Sequence, residues 1–235
     1  MTRIRFQQSL EELKEKLLEM AGLSEQAVQR AIEAYREHDL SICDLVSHGE
    51  LDINLLEREI DQAALDLLAM EQPMAGDLRF ILSVIKINAE LERVGNAAKS
   101  ISERVRHMER MAAAELPVNI PRMATMASEM VRKSLQSFVE ADAELARTVL
   151  TMDDAVDAMN KAAFKSLVKV MEEQSHLAPQ ALNALMISRA LERVADHATN
   201  IAEDVIFWVQ GDDVRHHKSL MREAEQQGKS GANAS

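Results

Sequence analysis

A single cysteine, four prolines, seven glycines and 3% aromatic residues leave this 235-residue chain short of what β-rich and disulfide-stapled folds use. Cys43 has no partner in the chain, so no internal disulfide can form, and a cytoplasmic location is expected. No stretch approaches the ~20 apolar residues that span a bilayer. The opening Met1-Thr2-Arg3-Ile4-Arg5-Phe6 carries no apolar leader. Basic residues are scarce as well. With 27 Lys and Arg against 39 Asp and Glu, the formal charge of −12 argues against a nucleic-acid partner. It suits a protein that attracts cations or basic surfaces. No nucleophile stands beside a base. Gly228-Lys229-Ser230 fails as a phosphate loop because Glu223 occupies a position that requires glycine.

What is abundant is Ala, Leu, Glu, Met and Arg, all good helix formers, which makes the fold class all-α. The chain also repeats itself. Leu91-Glu92-Arg93-Val94-Gly95-Asn96 returns as Leu191-Glu192-Arg193-Val194-Ala195-Asp196, and the flanks follow, with Ile87, Ala98, Ile101 and Glu103 matching Ile187, Ala198, Ile201 and Glu203. Such self-similarity signals an internal duplication. Helical periodicity predicts a first helix from Phe6 to Arg36 and a second, capped by Asp39, to Met70. Gln72-Pro73 ends the second, and Gly76-Asp77 cap a third reaching about Met111. Pro117 and Pro121 mark the joint. The pattern then returns over 121–140, 142–173 and 179–210, with Asp142 in the capping place of Asp39. The expected architecture is two tandem three-helix bundles, 1–112 and 113–211, followed by a polar tail, 212–235.

Beside the apolar stripe of the sixth helix runs a polar row, Glu192, Asp196, Asn200 and Glu203, whose spacing places the oxygens on one face. The fifth helix carries Asp153 and Asp157 in the same relation to its own stripe. Antiparallel packing of the two helices would gather Asp153, Asp157, Glu192 and Asp196. Four such carboxylates repel one another unless a cation joins them. Oxygen ligands favour Mg²⁺ or Ca²⁺ and accept Mn²⁺ or iron. The equivalents in the first copy are Glu50, Asn54, Glu92 and Asn96, so two acids have become amides, and Lys99 replaces Thr199. The second copy is therefore expected to bind metal more tightly. Periodicity alone favours solvated helix faces, and the paired placement on consecutive helices in both copies brings the metal reading level with that.

Asp77-Leu78-Arg79 shortly after Gln72-Pro73, the twofold Leu-Glu-Arg-Val motif and Asp196-His197-Ala198-Thr199-Asn200 resemble the PhoU family, and Val209-Gln210-Gly211 resembles its final helix end. The likeness runs from about residue 5 to residue 216. It implies two tandem three-helix bundles and a cytoplasmic negative regulator of the phosphate-starvation response. Such a protein contacts the ATPase subunit of the phosphate ABC transporter and a sensor histidine kinase. It also implies metal on acidic E/D-x-x-x-D motifs, which fall here on Asp153, Asp157, Glu192 and Asp196, and more weakly on Glu50, Asn54, Glu92 and Asn96. The expected cofactors are divalent or trivalent metal ions, from Mg, Mn, Fe or Zn.

The alternative class is a carboxylate-bridged metal-cluster enzyme. Bundles of that kind use two E-x-x-H motifs, and Glu173-Gln174-Ser175-His176 offers one, at a helix end. A surface role is assigned to it. His197 is assigned an ordinary imidazole role, His216-His217 a frayed helix end, and Met123, Met126 and Met130 the core. Exposed acidic and Met-rich faces together make a homodimer the expected assembly.

Overall fold

The computed structural model describes residues 3–71 and 73–214. Six helices follow in order: α1 (Arg3–Glu37), α2 (Leu40–Glu71), α3 (Ala75–Met108), α4 (Ile120–Glu140), α5 (Ala143–Glu173) and α6 (Ala178–Gln210), with a 3₁₀ turn, Ser175–Leu177, before the last. No strand occurs among the described residues. The expected tail lies outside them from position 215 onward, as do His216 and His217.

Local chemistry sets most of the helix ends. Asp39 accepts from the Ser41 backbone N–H at 2.8 Å, and Asp142 accepts from those of Glu144 and Leu145, satisfying donors that the first turn leaves open. Asn119 does the same for α4 through Arg122, two residues before Pro121 enters the first turn. Gly76-Asp77 do not cap α3. The helix begins at Ala75, and Met74 precedes it without a side-chain cap, leaving Asp77 within the first turn, where a carboxylate complements the positive helix end. The same helix stops at Met108 instead of Met111, because Arg110 and Met111 bond back to His107 and Met108 in tighter i→i−3 turns. His38, at φ 56°, and Ala141, at φ 51°, reverse the chain after α1 and α4 in the left-handed region.

The duplicated stripe is the core. Ile87, Leu91, Val94 and Ile101 are fully buried, as are Ile187, Leu191, Val194 and Ile201. Burying a side chain of this size contributes roughly 1.5–3 kcal/mol. Met123 and Met130 are buried with them. Within each repeat three helices pack pairwise, and the repeats join through α3 against α6 and α1 against α4. Along the α3–α6 seam Ser83 bonds the Asp204 carbonyl, and Arg79 that of Trp208. These pairs rise on α3 as they fall on α6, so the two helices run antiparallel.

No helix among the described residues is long and apolar enough to cross a membrane.

Candidate functional site

The register of α5 on α6 is set where the Ser188 hydroxyl donates to Asn160 Oδ1 at 2.8 Å. From there Asp157 and Asp153 climb α5 while Glu192 and Asp196 run along α6, so two pairs of acids meet across the groove. Electrostatics registers the meeting. Burial pushes the Asp196 carboxyl up to about 6, and the charges of Glu192, Asp153 and Asp157 add to the rise against a small opposing effect of His197. Glu192 is raised as well, by burial and then by Asp157, with Arg189 and Arg193 pulling the other way. Lys161 reaches Asp157 from the solvent side at 3.3 Å.

The first repeat has settled the same problem internally. The Lys99 ammonium lies 3.0 Å from Glu50, and Asn96 turns its amide N–H to Glu92 at 2.5 Å. Asn54 accepts from Arg58 only through its backbone carbonyl. One turn along α2, Glu57 is raised by burial and then by Glu92 and Asp61. Here a lysine and an amide do the neutralising, and the donor set carries less negative charge toward a metal.

The second set suits one by its chemistry, since the charges of Asp153 and Asp157 add to the raised proton affinity of Glu192 and Asp196. No three His, Cys, Asp or Glu side chains among the described residues stand close enough together to hold an ion. Asp153, Asp157, Glu192 and Asp196 would have to draw in around a cation to bind it.

A second polar cluster was not legible in the acidic rows. Glu90 of α3, nearly buried, accepts from His197 Nδ1 at 2.7 Å and from the Asn200 amide at 3.0 Å, both on α6, and from Arg93 at 2.5 Å. These hydrogen bonds and charges hold the Glu90 carboxyl below its usual range although burial, the largest single effect, opposes them. The signal lay in the differences between copies: Glu90 stands where the second has Ala190, and His197 where the first has Ala97. His197 is thus a seam residue. Glu173 and His176 are exposed at the end of α5 and its 3₁₀ turn, away from both grooves.

The model of the PhoU domain matches residues 17–105 and again 120–205, once per three-helix repeat. The chain belongs to the PhoU family. It is 37% identical over 232 residues to a phosphate-specific transport system accessory protein PhoU homolog of Pseudomonas putida, covering 97% of this chain and 90% of that protein. It is 30% identical to the phosphate-specific transport system accessory protein PhoU of Escherichia coli (strain K12), over 90% and 88% of the two chains. The crystal structure of PhoU from Pseudomonas aeruginosa superimposes with a TM-score of 0.84 at 35% identity, covering 88% of this chain and 100% of that one. The phosphate transport system regulatory protein PhoU from Streptococcus pneumoniae gives 0.82 at 27% identity, over 89% and 99%. These PhoU proteins are named for accessory and regulatory roles, not for catalysis.

Proposed function

We propose that this chain is a cytoplasmic accessory and regulatory protein of phosphate-specific transport. As an adaptor it couples the transporter's ATPase subunit to a sensor histidine kinase and represses the phosphate-starvation response while phosphate is plentiful. The observation that carries the reading is the likeness of both repeats, over nearly the whole chain, to proteins named for that role. The architecture suits it: grooves between paired helices are surfaces on which a partner can dock. We further assign a divalent or trivalent metal ion to Asp153, Asp157, Glu192 and Asp196. It would supply positive charge that lets this acidic face pack against a partner. Glu50, Asn54, Glu92 and Asn96 would hold one poorly, since Lys99 already occupies the charge position.

Deletion of the gene tests the regulatory reading. Alkaline phosphatase should be expressed at high phosphate in the deletion strain, and pull-down from phosphate-replete cells should recover the transporter ATPase or the kinase, with the chain itself recovered as a homodimer. Normal repression in the deletion strain would overturn it.

A further inference from the structure

Away from both acidic rows, the two repeats enclose a cleft of about 670 Å³ between them. Its walls come from the ends of α1 and α3, the segment 109–119 that joins the repeats, and the starts of α4 and α6. Met108, Met111, Ala113 and Pro121 make much of the lining apolar. A cavity of this size accommodates a small organic ligand.

Two polar groups stand unpaired in this lining. Gln180 of α6 is 7% exposed, and its Nε2 donates to the Ala112 carbonyl at 3.2 Å. That bond fixes which way the amide faces, since the reverse would set two oxygens against each other. Gln180 Oε1 is thereby left buried with no hydrogen-bond partner. Tyr35, half-buried at the end of α1, has a hydroxyl that is likewise unpaired among the described residues. Burial pushes the Tyr35 phenol up, so it keeps its proton and remains a donor. An acceptor shut away unpaired is costly, and a bound donor relieves that cost. The joining segment is what covers it. Ala112 to Glu115 make no backbone–backbone hydrogen bond among the described residues, so they can draw aside without breaking a helix.

We propose that this cleft binds an aminopurine nucleoside or its monophosphate. The amino group of the ring would donate to Gln180 Oε1, and a ring nitrogen would accept from the Tyr35 hydroxyl. A flat edge carrying donor and acceptor side by side matches this pair, and its faces suit thioether and methyl walls. At the rim, Arg36 bonds Glu37 through Nε, which leaves its Nη groups for a 5′-phosphate. Glu109, already paired with His38, and Glu115 work against the larger charge of a triphosphate. Both repeats contribute to the walls, so occupancy would tie the joining segment to each of them. The inference goes beyond the regulatory reading and gives the adaptor a small-molecule input.

The test uses the full chain and adenosine 5′-monophosphate in calorimetry, with hydrogen exchange followed alongside. Saturable one-to-one binding is expected, with slowed exchange at the amides of 112–115. Tyr35→Phe and Gln180→Met, which nearly keep the side-chain shapes, should each weaken binding about tenfold. Ser128→Ala, in the neighbouring α1–α4 groove, should leave it unchanged; thermal melts confirm that each variant folds. Purine riboside lacks only the amino group of adenosine and should bind about tenfold more weakly than adenosine does. Arg36→Gln should lower the affinity for the monophosphate to that for adenosine. Absent binding at millimolar nucleotide, or binding indifferent to both Tyr35→Phe and Gln180→Met, overturns the proposal. So does slowed exchange elsewhere with none at 112–115. Binding of inorganic phosphate as tight as that of the monophosphate would leave an anion site and no purine site. Repression in the deletion strain is read separately, so a failed nucleotide experiment leaves the regulatory role standing.

Discussion

Asp196 shows how a single carboxylate can record the design of a groove. Its folded-state pKa stands at about 6 against an ordinary 3.8, so between those values the folded protein holds a proton that the unfolded chain has lost. Stability must then fall as pH rises from about 4 to about 6, and the penalty persists above that window. Asp196→Asn copies the first repeat, where Asn96 donates to Glu92 instead of repelling it. In metal-free buffer at pH 7 the variant should be more stable than wild type by on the order of 1 kcal/mol, a figure reduced for solvent screening of a half-buried group. Below pH 4 the two should converge. Urea midpoints at the two pH values decide the matter, and equal midpoints at pH 7 would show that the acids do not strain the fold. Calorimetry with manganese should run the opposite way, with weaker uptake in the variant, because the repulsion that destabilises the free protein is what a bound cation relieves.

Between elements the duplication offers a packing experiment already half performed. Gly95 of α3 faces Ile53 of α2, and a methyl group added at Gly95 would meet Ile53 Cδ1 at 2.8 Å. At the corresponding positions the second repeat has Ala195 and Val156, both buried, so the glycine has gained a methyl and the isoleucine has lost one. Gly95→Ala gains roughly 1 kcal/mol of helix propensity but overpacks a buried contact at a cost of about 1–3 kcal/mol. It should be neutral to destabilising, and Ile53→Val alone should lose about 1 kcal/mol. The double variant rebuilds the second repeat's solution and should recover most of both losses, a coupling of about 1–2 kcal/mol in a denaturation cycle; additive effects would mean that the helices do not share this contact. Such compensation was invisible in one copy but readable from two. The helices themselves were legible for a similar reason. Stripes such as Ile187, Leu191 and Val194 hold strict helical spacing, and Asp39 and Asp142 begin helices by satisfying open N–H groups. The bounds failed where backbone closure replaced a side-chain signal, at Met74 and after Met108. The acidic rows could be placed on helix faces from spacing, but their unequal neutralisation depended on where Lys99 reached.

At the scale of the whole molecule, the seam between repeats depends on residues that each copy does not share with the other. Glu90 is held by His197 and Asn200 across it, Lys86 meets Asp204 at 2.9 Å, and Trp208 packs against Phe80 and Phe138 with ring centroids 5.2 Å from each. Glu90's depressed pKa has the opposite sign from that of Asp196. Its stabilisation is present above the ordinary carboxylate value and is lost as pH falls through the lower folded-state value. Acid should therefore loosen the seam before it melts the helices. His197→Ala removes one partner of a nearly buried carboxylate and should cost about 1–3 kcal/mol, concentrated where the repeats meet. Trp208, the sole tryptophan, sits at that junction and reports on it directly. In wild type at neutral pH its fluorescence and the far-UV circular dichroism should trace one urea transition, as expected of a single cooperative unit. In His197→Ala the fluorescence should move first, at lower urea, while helicity holds. Coincident curves in the variant would place the bond between repeats elsewhere, in the apolar α3–α6 and α1–α4 contacts, and reduce Glu90 to a local ion pair with Arg93.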